Sequence, residues 1–201
     1  MKNIFLPIFL LVTCASFGQI KSPAEYLGYP IGSQFTYHHQ VIAYCHYLAD
    51  QRKDVAQWYS YGKTNEDREL GQMIIASPPL KDSLEIYKKW HQDVIQGRIS
   101  AASIQSKLPV IINLSFNVHG NEAAGTEAAL ETLYYLLGNQ SDFITSSKNK
   151  RYIILIDPCI NPDGREAYVT QFRRRNFVAL GNADPNDQEH FEGPISGRYN
   201  H

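Results

Sequence analysis

Cysteine is scarce in this chain: three residues in 201, at positions 14, 45 and 159. That is too few to assign a disulfide from sequence. Basic clusters are missing too. The formal net charge is −1, and the one run of three, Arg173-Arg174-Arg175, is short and followed by acidic residues. The run reads as a solvated turn or a substrate-facing corner, so a nucleic-acid partner is not expected. No segment repeats and none is of low complexity. Long apolar runs are also absent. Ile4–Val12 covers about half of the ~20 residues that a membrane-spanning helix needs. What is present is a hydrophobic content of 43% against 19% charged residues, enough for a substantial core. The length suits one α/β domain and not two large ones.

The first eighteen residues differ from the rest. Lys2, the apolar stretch Ile4–Val12 and the small residues of Thr13–Gly18 read as a secretory signal peptide with cleavage after Gly18. Its removal takes one Lys and no acid, so the charge moves from −1 to −2. The mature product, residues 19–201, is then expected to be secreted or periplasmic, with no membrane attachment. A lipoprotein anchored through Cys14 is the less favoured alternative, because Thr13 fits that signal poorly. Of the cysteines that remain, Cys45 and Cys159 read as small buried hydrophobes.

Periodicity supplies the elements. Residues 22–35, rich in Pro and Gly, read as an extended lead-in. His38–Gln51 and Leu84–Ile95 place apolar residues at helical steps. Val55–Gly62 and Leu70–Ala76 read as strands joined by the polar turn Thr64–Glu69, with Pro78-Pro79 ending the second. Ser100–Lys107 suits a short helix. Leu108–Phe116 reads as a buried strand. Ala123–Leu137 reads as a helix stopped by Gly138. Ile153–Ile156, apolar throughout, reads as a central strand covered on both faces. Gly181–Pro194 reads as a long surface loop.

The informative stretch follows the Leu108–Phe116 strand: Val118-His119-Gly120-Asn121-Glu122. It sets an imidazole and a carboxylate three positions apart on a short bend. Zinc accepts both donor types, and a hydrolytic zinc site needs three protein ligands. The same residues also suit a plain helix start, with Asn121 as cap and Glu122 at the positive end of the dipole. A second strand, Arg151–Asp157, ends in Asn161-Pro162-Asp163-Gly164, a run of ordinary turn formers. In α/β sheets chemistry sits beyond the carboxyl ends of strands, and both corners would meet there if their strands were neighbours.

His-x-x-Glu after one strand and Asn-Pro-Asp-Gly after the next resemble the zinc metallocarboxypeptidases of the A/B and N/E types. The resemblance implies an α/β fold with a mixed, mostly parallel central sheet and helices on both faces. It implies one zinc ion held by His119 and Glu122, and a peptide substrate with a free C-terminal carboxylate. Gly197-Arg198-Tyr199-Asn200 matches a stretch in which the arginine stabilises the oxyanion, so Arg198 is the implied catalytic residue. Arg174 and Arg175 are runners-up as substrate contacts. Asn121 stands where some relatives carry a substrate-touching arginine. His201 is set aside as third ligand, because the family's second zinc histidine lies further downstream, as do its general-base glutamate and carboxylate-gripping pair. Residues 19–201 are therefore expected to be the N-terminal portion of a catalytic domain, inactive without the remainder. A related zinc deacylase acting on N-acyl amino acids, or a non-catalytic relative binding peptide or cell wall, stays open.

Overall fold

The computed structural model describes residues 19–138 and 151–175. The expected signal peptide with Cys14, the Gly181–Pro194 loop, Arg198 and His201 all lie outside the described residues.

The described chain runs α1 (Pro23–Leu27), α2 (His38–Gln51), β1 (Ala56–Lys63), β2 (Glu69–Ala76), α3 (Pro78–Lys81), α4 (Leu84–Ile95), α5 (Ala101–Ile104), β3 (Val110–Ser115), α6 (Ala124–Leu137), β4 (Tyr152–Asp157) and α7 (Pro162–Arg175). The lead-in expected to be extended contains α1. Ser22 and Glu25 form a reciprocal capping box at its start, Pro23 opens the first turn, and Gly28 closes it at φ 83°. Likewise Pro78-Pro79 begins α3, because proline tolerates the first turn, whose N–H groups need no helical partner.

The four strands form one mixed sheet in the order β1-β2-β4-β3. The pairs β1–β2 and β2–β4 are antiparallel, and β3–β4 is parallel. Alternation decides which side chains meet the helices. Met73 and Ile75 of β2 and Ile154 and Ile156 of β4 join one core with Val41, Tyr44, Cys45 and Leu48 of α2 and Leu130, Leu133 and Leu137 of α6. Fully burying such a side chain contributes roughly 1.5–3 kcal/mol. Gly71 leaves room for the Trp58 indole, which a Cβ there would meet at 2.2 Å. The indole N–H donates to Glu69 at 2.8 Å.

β4 is central and largely buried, as its composition predicted. The expectation of a buried strand at Leu108–Phe116 is corrected: all six residues of β3 are exposed. β3 is the sheet edge among the described residues, and no described helix packs closely over its faces. Cys45 and Cys159 are buried, as read, and both are free. His38 opens α2 and is buried, with its Nε2 2.8 Å from the Glu69 carbonyl. Among the described residues no helix is long and apolar enough to cross a membrane.

Candidate metal centre

Strand pairing carries on past β3 and β4 into their two corners. The Phe116 N–H donates to the Asp157 carbonyl, and the Ile160 N–H donates to the Phe116 carbonyl, both at 3.0 Å. The corners expected to meet do meet. A Cβ on Gly120 would lie 2.3 Å from the backbone carbon and oxygen of Gly164, so the two backbones touch where only glycine fits. Asn161 Nδ2 donates to the Val118 carbonyl at 3.0 Å, and Asn161 Oδ1 accepts the Gly164 N–H at 3.0 Å.

Asn117 turns the chain off β3 at φ 56°, a left-handed conformation that asparagine tolerates better than most residues. Its side-chain amide donates to the His119 carbonyl. The same carbonyl accepts the Glu122 N–H at 3.1 Å, which closes the His119–Glu122 bend. The Gly125 N–H then reaches the Glu122 carbonyl at 3.2 Å, and α6 begins. His119 and Asn121 are half-buried and Glu122 is exposed. Asn121 is not the helix cap. That position falls to Ala123, with no side-chain bond.

The donor set suits zinc: a ring nitrogen and a carboxylate oxygen on one closed bend at the end of a strand. Among the described residues no group of three or more His, Cys, Asp or Glu is placed to hold a metal ion. His119 and Glu122 are thus the candidate pair and not a full ligand set.

Asn-Pro-Asp-Gly is more than a loose turn, because Pro162 is the first residue of α7. Asp163 accepts from Arg68 Nη1 and from the Thr64 hydroxyl, both at 2.7 Å, which ties the start of α7 to the β1–β2 turn. The arginine run, read as a turn or corner, lies within α7 instead. Arg173 donates to the Phe35 carbonyl at 2.9 Å and lies 4.2 Å over the Tyr37 ring. Arg174 is exposed, and the side chain of Arg175 is outside the described residues. At the foot of β4, the Tyr61 hydroxyl donates to the buried Asp157 carboxylate. Burial lifts the Asp157 carboxyl above its usual range, against the pull of Tyr61 and the Cys159 N–H.

Residues not singled out in the sequence build the floor of the site. Arg165 is completely buried on α7, beside Asn117, Thr36 and Glu127. Spacing offers no sign of this group, since its members lie up to 129 residues apart.

The family model for zinc carboxypeptidase matches residues 41–192, which include both corners. The chain belongs to the zinc carboxypeptidase family. Among solved structures, the carboxypeptidase A of Helicoverpa armigera is similar at 20% identity, over 72% of this chain and 28% of that one, with a TM-score of 0.47. Thrombin-activatable fibrinolysis inhibitor is similar at 11% identity, over 76% and 30%, with a TM-score of 0.47. The bovine form of that protein, in complex with tick carboxypeptidase inhibitor, gives 11%, 67% and 33%, with a TM-score of 0.45. The chain thus spans about a third of the length of the solved structures it matches. A search of curated proteins finds no match.

Proposed function

We propose that the intact polypeptide is an exported zinc-dependent carboxypeptidase that hydrolyses the C-terminal peptide bond of peptides. What supports this reading is that residues 41–192 match the family and include a closed His119–Glu122 bend seated on the Asn-Pro-Asp-Gly corner. Bound zinc supplies Lewis acidity for the hydrolysis. His119 supplies a nitrogen donor and Glu122 an oxygen donor to that ion. Asn161 and Asp163 spend their side chains on backbone and on Arg68, so they shape the wall and move no proton. Arg198 meets the negative charge that develops on the scissile carbonyl oxygen, a task suited to fixed charge and a rigid fork of donors. Arg174, exposed on α7, and with it Asn121 and Arg175, are the candidate contacts for the peptide. Residues 1–18 direct export and are removed. Residues 1–201 alone do not turn over peptide on this reading.

The test is metal content and release of C-terminal residues by the intact polypeptide, followed by mass spectrometry. The wild type carries one zinc and shortens peptides one residue at a time. His119→Ala and Glu122→Ala each lose the metal and reduce release to background. Full release by either variant overturns the assignment.

A further inference from the structure

We propose that Arg165 is the positioning residue of the metal pair, clasping both ends of the bend that carries His119 and Glu122. The proposal rests on the zinc reading of those two residues. A single nitrogen, Nη1, donates to Asn117 Oδ1 at 2.9 Å and to the Ala123 carbonyl at 2.6 Å. Asn117 lies two residues before His119, and Ala123 follows Glu122 directly. Asn117 passes the contact on, because its amide donates to the His119 carbonyl. The bend cannot define itself as well: Asn117 is in the left-handed region, and Ala123 offers α6 no side-chain cap.

The guanidinium is fully committed. Its other bonds run from Nε and Nη2 to the Thr36 carbonyl, at 3.0 and 2.9 Å, and from Nη2 to Glu127 at 2.5 Å. Five donor N–H groups thus meet five bonds. Glu127 is the balancing carboxylate; it is itself buried and accepts the Thr36 N–H and hydroxyl, each at 2.7 Å. Thr126 Oγ1 lies 2.9 Å from Asn117 Oδ1 and 2.8 Å from the Pro158 carbonyl, which steadies the link from the β4 side. A buried ion pair is weak evidence of stabilisation, since apolar residues of equal volume often serve as well. This one directs two of its five bonds to the residues that bracket the ligands. Groups that orient metal ligands from behind typically matter about 10–100-fold in metal affinity.

The experiment measures zinc affinity by chelator competition, and the visible spectrum of the cobalt-substituted protein, on the intact polypeptide. Arg165→Lys keeps the charge but loses the fork, so it cannot reach Asn117 and Ala123 together. Asn117→Gly keeps the left-handed backbone and cuts only the side-chain link, so it reads the same question where Arg165→Lys does not fold. Each is expected to bind zinc about 10–100-fold more weakly and to shift the cobalt bands. Thermal unfolding of the metal-free forms reports any purely structural effect, which would leave affinity and spectrum alone. Wild-type affinity and spectrum in the folded variants overturn the proposal. If the wild type binds no zinc, or His119→Ala binds it equally, the metal reading fails and takes this assignment with it.

Discussion

Gly120 shows how narrowly the site is built. Its φ is ordinary, so its need for glycine is purely steric: any side chain enters the Gly164 backbone. Gly120→Ala is expected to destabilise the fold by about 1–3 kcal/mol, as overpacking does, and to weaken zinc binding by prising the corners apart. Urea unfolding and chelator competition measure the two effects. Asp157 makes a prediction about pH. Its folded pKa lies above the unfolded one, so the protonated form favours the fold. That contribution is complete below the unfolded carboxylate range and is lost as pH rises through the raised value. The stability difference between wild type and Asp157→Asn, from urea unfolding at successive pH values, should therefore decline with rising pH. A flat difference would show that Asp157 carries no such shift. Burial also pushes the Cys159 thiol up to about 12 and the Cys45 thiol higher still. Both should resist a thiol reagent in the native protein and react once it is unfolded. At this scale the sequence displayed His119 and Glu122 but hid Arg165, because a buried arginine has no local signature.

At the scale of elements, periodic segments were the readable ones. α2 and α4 match their expected bounds, and every expected strand forms within two residues of its expected ends. The misses share one cause. In α1, α3 and α7, proline stands at the first helical position, where it starts a helix as readily as it interrupts one. Composition alone does not separate the two roles; the residues around it do, as the Ser22–Glu25 box shows for α1. The α2–α6 layer carries the core, so Leu133→Ala should cost about 2–5 kcal/mol in unfolding free energy by denaturant titration. An equally large deletion at Ile95, 83% exposed on α4, should change stability little.

Across the whole molecule, the parallel pairing of β3 with β4 brings the two corners together, and the order of strand, polar corner, helix and strand along the chain had pointed to that sheet. The exposure of β3 was not legible, because an apolar run looks the same at a sheet's edge as at its centre. Val110, Ile111, Ile112 and Leu114 are each at least 36% exposed. The 201-residue chain prepared alone should self-associate along this edge, and Ile112→Lys should suppress it, as light scattering can measure. Equal scattering by both proteins would discount the edge. The strand order has a consequence for synthesis. β4 lies between β2 and β3 although it follows both in the chain. When Glu122 is added to the growing chain, Gly164 and Arg165 have not yet been translated. The bend is therefore made first and seated last, and a nascent chain that stops short of α7 carries both candidate ligands with nothing to frame them.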